Sequence, residues 1–239
     1  MHPLSLDTDL EKEAGILTRE IKIALSFQKQ AYAVFFAVIL SLVKRVTDSN
    51  EIGVALEAPM AILAFTFCAD TYTQEITSKR SEIWRLYPMK QKMHSIYRRI
   101  VIQEMFLLAI AAVSYGLFFL FQNPDINEMG QSGFTNAKYQ FVVYFASVAV
   151  TLVFWGLFAN LFSCLFRNMW MGIGGCLLLW MLTNSSIGDR QFGCWNLFSY
   201  TFRKFGNSSD LSWICGKVVC ICIAIMAVAA LPKIIEKRG

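Results

Sequence analysis

The run IVIQEMFLLAIAAVSYGLFFLF, residues 100–121, contains one acidic residue and no basic one. About 20 predominantly apolar residues is the length a helix needs to cross about 30 Å of hydrocarbon. In lipid each backbone amide must find its partner inside the segment, which a helix provides and an open extended strand does not. Five more mainly apolar blocks lie at 31–46, 52–72, 139–166, 169–183 and 213–231. Only 16% of the residues are charged, against about 25% in soluble domains, so a water-dispersed globule does not explain the pattern. The expected fold is all-α and polytopic, one membrane domain over residues 1–239 with six transmembrane helices.

The opening MHPLSLDTDLEKEAG is polar and acidic, without the basic start and apolar middle of a cleaved signal peptide. The first span is therefore expected to stay as an anchor. In residues 16–30, Ile16, Leu17, Ile21, Ile23, Ala24 and Phe27 recur near helical spacing, with Arg19, Glu20, Lys22 and Lys29 on the other side. That pattern predicts a helix lying in the membrane surface. The alternative is a plain extension of the first span.

Six spans put both termini on one side, and loop charge says which, because Lys and Arg accumulate in the cytoplasm. With the termini inside, Lys and Arg number fifteen on the inner side and seven on the outer. Both termini are thus expected in the cytoplasm and residues 184–212 form an extracytoplasmic loop. The net charge of +5 comes from residues beside spans and does not point to nucleic acid.

The inner segment 73–99, TQEITSKRSEIWRLYPMKQKMHSIYRR, holds seven of those cations. Ile76, Ile83, Trp84 and Tyr87 share one helical face, and Met89, Met93, Ile96, Tyr97 and Ile100 share a second. Between them Pro88 lacks an amide donor and restricts Tyr87. Two short amphipathic helices with a break are predicted, the second merging into the third span. Such an elbow is either topology-setting charge resting among headgroups or a docking surface for a cytoplasmic partner.

This layout resembles the permease subunit of ABC-2 type (type V) ABC transporters. Such permeases have an N-terminal interface helix, six spans and a Glu-led coupling segment between spans two and three that ends in a Leu-x-x-Pro-like element. The matching residues here are Glu75, then Ile83, Trp84, Leu86, Tyr87, Pro88 and Lys90, with Thr77-Ser78 where the family has Gly-Thr. The family's polar, partly re-entrant element between spans five and six corresponds to GDRQFGCWNLFSYTFRKFG. The resemblance implies that 16–30 is the interface helix and 73–99 the coupling segment, contacted by two separate ABC ATPase subunits. It also implies a second permease copy or a related permease as dimer partner, and ATP with Mg bound by the ATPase rather than by this chain.

The residues themselves supply no phosphate-cradling loop. The one Gly-Lys, Gly216-Lys217, has Leu211 and Val218 where a P-loop has Gly and Ser or Thr. Gly172-x-Gly174-Gly175 lies in an apolar block and reads as close helix packing. His2 and His94 fall outside the spans without a second ligand, and neither HExxH nor GxSxG occurs, so no catalytic or metal site is expected. Five of seven Cys sit in apolar blocks as small hydrophobes; pairing of the remaining two, Cys194 and Cys215, stays open.

Ionisable groups inside spans are few and expensive to bury. Glu57 in span two and Lys217 in span six lie at comparable depth; they either pair or reach headgroups and water separately. Asp70 and Glu104 fall near the inner boundary, either wet or in contact with the basic loop. Together these features lead to the expectation of a membrane-spanning permease subunit of an ATP-driven ABC exporter in the plasma membrane. Its substrate would be a peptide, a drug or a lipid-like molecule, and the chain itself would not be an enzyme. The competing expectation is a non-transport membrane protein, either a bacteriocin immunity or assembly factor or an intramembrane enzyme.

Overall fold

A serine sets the first boundary in the structure, a computed structural model that describes residue 15 and residues 17–47, 49–77, 86–122, 133–202 and 211–238. Helix α1 (Leu17–Ala24) stops short of Ser26, and α2 (Phe27–Val43) begins there, with Ser26 Oγ accepting from the Lys29 amide at 3.5 Å. A serine in extended conformation is a favoured N-cap because its hydroxyl satisfies an otherwise orphaned amide. The two helices meet at 57°. The single helix expected over 16–30 is therefore two pieces, and Phe27–Gln30 belong to α2.

After α2 come α3 (Ser49–Cys68), the short α4 (Thr73–Thr77), α5 (Met89–Gln122), α6 (Gly133–Phe166), α7 (Met169–Thr183), α8 (Ser186–Phe192) and α9 (Trp213–Arg238). No strand occurs among the described residues. Four stretches are long and apolar enough to cross a membrane: Glu51–Glu75, Met89–Gln122, Lys138–Phe166 and Trp213–Lys237. Helices α2 and α7 have 17 and 15 residues, and they reach that standard only when counted with their bent neighbours α1 and α8. The protein is an all-helical, multi-pass type of chain with four to six candidate spans.

Helix α5 starts directly after Pro88 and runs unbroken for 34 residues, about 51 Å at 1.5 Å per residue. That exceeds the hydrocarbon thickness by several turns. Its first turns bury Met93, Ile96 and Ile100 against Leu231 and Ile235 of α9, so this apolar face lies on protein. The preceding helix predicted for the elbow, with Ile83 and Trp84, lies outside the described residues.

Helix α6 occupies the middle, packing against α3, α5, α7 and α9. Its Trp155 stacks on Phe198 at 5.8 Å and meets Phe154 edge-on at 5.2 Å, and all three rings are buried. The chain reverses from α6 into α7 through Arg167, whose φ of 54° is the left-handed turn common after helix ends. Asn168 then caps α7 by accepting from the Trp170 amide at 2.9 Å. The Gly172 position lets α7 close on α6, because a Cβ there would stand 2.0 Å from Ser163 Oγ. The outer faces stay apolar and uncovered: Trp170 and Leu178 on α7, and Ile225 and Met226 on α9, are exposed. A water-soluble surface would not show this, whereas a lipid-facing one does.

Candidate functional site: an embedded ion pair and a charged clamp

Glu57 of α3 has no exposed surface, yet its carboxylate is fully engaged. Oε1 accepts from Lys217 Nζ of α9, from Thr151 Oγ1 at 2.9 Å and from Ser147 Oγ at 3.4 Å. Oε2 accepts from Thr201 Oγ1 at 2.5 Å. The Lys217 ammonium also donates to Thr151 Oγ1 at 2.8 Å and to the Leu197 carbonyl at 3.1 Å, so its three protons all have acceptors. Of the two possibilities the sequence left open for these charges, the structure has them joined. The Thr and Ser hydroxyls around them replace the water each charge loses.

The pair also explains residues 196–200, all of which are buried. The extracytoplasmic loop expected over 184–212 thus carries an interior middle section, entered by a 72° bend between α7 and the α8 region. Buried irregular backbone needs partners. Asn196 Nδ2 donates to the Thr183 carbonyl at 2.9 Å, and Asn196 Oδ1 accepts from the Phe198 amide at 3.1 Å. Ser199 Oγ donates to the Trp213 carbonyl at 2.7 Å, and Lys217 takes the Leu197 carbonyl. Gly216 brings α9 against this turn, since a Cβ there would lie 2.0 Å from the Asn196 carbonyl oxygen.

The second constellation gathers around Arg99 at the other end of α3 and α5. Arg99 Nε donates to Glu20 of α1 and Nη1 donates to Glu75 of α4, while Ser95 Oγ donates to Glu20 Oε1 at 2.8 Å. Beside it, Lys29 Nζ donates to Asp70 at 2.5 Å and to the Phe67 carbonyl at 2.9 Å, and sits 5.1 Å over the Phe67 ring. Lys29 is therefore buried, not on a solvated face as the amphipathic pattern implied. Thr71 Oγ1 donates to Gln103 Oε1 at 2.7 Å, and Gln103 Nε2 donates to the Ala24 carbonyl at 3.3 Å. Five segments, α1, α2, the α3–α4 junction, α4 and α5, are tied together here.

Of the residues matched to the coupling segment, Leu86, Tyr87, Pro88 and Lys90 are exposed just ahead of and on the first turn of α5. Glu75 instead turns inward to Arg99. Asp70 pairs with Lys29, and Glu104 is not wet: it is buried beside Cys68. The Arg99 clamp was not singled out from sequence, although Ser95, Arg99 and Gln103 form a polar stripe at four-residue spacing on an apolar helix, which was the available signal.

His94 contacts Arg98 at 2.9 Å on the surface, and no group of three or more His, Cys, Asp or Glu able to hold a metal occurs among the described residues. All seven cysteines, Cys194 and Cys215 included, are unbridged. In both clusters the charges are mutually satisfied, an arrangement that fixes the positions of helices. No protein-family model, curated protein or solved structure matches the chain.

Proposed function

We propose that this chain is the membrane-spanning permease subunit of an ATP-driven exporter of the ABC-2 type, with six spans and both termini in the cytoplasm of a plasma-membrane protein. Separate ABC ATPase subunits bind ATP and Mg and dock beneath it. A second copy or a related permease completes the pathway for a peptide, drug or lipid-like cargo.

The observation that carries this reading is the Arg99 clamp on α5. From its exposed first turn at Lys90 the helix continues into a segment of membrane-crossing length without a break, and Leu86–Pro88 lead directly into it. Arg99 ties its protruding end to α1 and α4 at once. A push delivered at residues 86–90 would move α1, α4 and α5 as one body, the rigid-body mode by which a motor drives a transporter. Exposed Leu86, Tyr87, Pro88 and Lys90, together with Ile83 and Trp84, are the ATPase contact in this proposal, and Glu75 braces it from behind.

Purification of the chain from its native membrane tests this. Stoichiometric recovery of a P-loop ATPase, lost in Trp84→Asp or Tyr87→Asp variants that still insert, is the expected result. A correctly inserted wild-type chain that brings down no ATPase would overturn it in favour of the non-transport reading. Labelling of a cysteine placed at Ser81 from outside intact cells would invert the topology and end the proposal as well.

A further inference from the structure

Glu104 of α5 is buried between α3 and α6, and its Oε2 has no hydrogen-bond partner. Its Oε1 accepts one weak bond, from the Cys68 thiol at 3.7 Å. On α6, Asn160 has no exposed surface; its Nδ2 donates to the Gly156 carbonyl at 2.9 Å and its Oδ1 is left without a donor. Gly156 makes the niche: a Cβ there would stand 1.8 Å from Glu104 Oε1 and 3.2 Å from Cys68 Sγ. Glu104 Oε2 and Asn160 Oδ1 therefore both lack a donor, in an interior where a hydrogen bond left unmade is costly.

Among the described residues the buried cations are engaged elsewhere. Lys29 of α2 is on Asp70, Arg99 of α5 is on Glu20 and Glu75, and Lys217 of α9 is on Glu57. From α3 the group facing Glu104 is the Cys68 thiol, and from α6 it is Gly156, whose carbonyl accepts from neutral Asn160. A bare carboxylate with one thiol donor is a poor occupant of such a place. A neutral carboxyl leaves no bare charge there and itself becomes a donor.

We propose that Glu104, with Cys68 and Asn160 around Gly156, is a proton-binding site inside the helical bundle. The proton resides on Oε2, and it passes to water when α5 shifts on α6 and opens the niche, leaving a carboxylate. The ligand is thus a proton taken from the aqueous phase, and its binding makes the α5–α6 contact depend on pH. This inference stands apart from the exporter reading, because it uses no ATPase and no cargo.

Infrared difference spectroscopy of the full chain in lipid nanodiscs, in H2O and D2O, tests it. The expected result at neutral pH is a protonated-carboxyl C=O band that shifts on deuteration, is missing from Glu104→Gln and moves in Asn160→Leu. If wild type minus Glu104→Gln shows carboxylate bands in its place, the proposal is overturned. Where Glu104→Gln fails to fold, Asn160→Leu decides: an unmoved band overturns the site. If the protonated band is absent and sodium chloride, but not N-methylglucamine chloride, perturbs the carboxylate bands, the occupant is a metal cation and the proton assignment falls.

Discussion

Replacing Lys217 by Met removes one half of an ion pair whose side chains are 4% and 0% exposed. The Glu57 carboxylate would keep the hydroxyls of Thr151, Ser147 and Thr201 but lose the Lys217 ammonium, and the Leu197 carbonyl would lose its ammonium donor. Breaking a buried pair from one side costs about 3–5 kcal/mol because the remaining charge stays uncompensated. For a chain of this size that corresponds to a fall in Tm of about 6–20 °C, taking 2–4 °C per kcal/mol. Glu57→Gln strands the ammonium and should be comparably harmful. The double variant Glu57→Gln/Lys217→Met leaves no charge behind, and it should recover stability by a coupling of about 2–3 kcal/mol. Thermal unfolding in one detergent, followed by tryptophan fluorescence and size-exclusion recovery, measures all four corners of the cycle. The buried turn at 196–200 should loosen in the single variants, seen as faster amide exchange over residues 196–202. A Lys217→Met protein with unchanged Tm, or additive single effects, would show that the two charges do not act as a pair.

The other predictions concern contacts of similar definition. Arg99→Ala should release α1, raising tryptic cleavage at Arg19 and Lys22 and lowering stability by about 3 kcal/mol, since Glu20 and Glu75 both lose the Arg99 guanidinium; cleavage no faster than wild type would refute the clamp. Tyr97→Phe should cost about 1–2 kcal/mol, because Pro232 has no amide for the Val228 carbonyl and Tyr97 Oη donates to it at 2.9 Å; a neutral effect on Tm would count against that role. Gly216→Ala should lower Tm through overpacking by about 1–3 kcal/mol, its Cβ falling 2.0 Å from the Asn196 oxygen, and a tolerated alanine would contradict the close approach.

How legible the molecule is from its sequence differs by layer. The polar i, i+4, i+8 stripe on α5 and the paired depth of Glu57 and Lys217 were readable, but what they touched was not. Lys29 shows why: in one dimension it falls among surface-helix cations, yet Ser26 breaks the helix and swings Lys29 onto α2, where Asp70 awaits it. Glu104 shows the same limit, since its burial depends on a glycine more than fifty residues away that leaves room for the carboxyl.

Sequence alone determined that the chain is helical and made for lipid, because helix length, missing charge and the need to pair every amide locally are properties of each segment by itself. It also dictated that α5 begins after Pro88, through a missing donor that no tertiary contact restores. Only the tertiary structure decided that Arg99 holds three segments, that residues 196–200 turn inward, and which oxygens of Glu104 and Asn160 go unpaired. The azimuth of each helix about its own axis, which decides these contacts, comes from side chains packed across elements distant in the chain, and hydropathy carries no record of it.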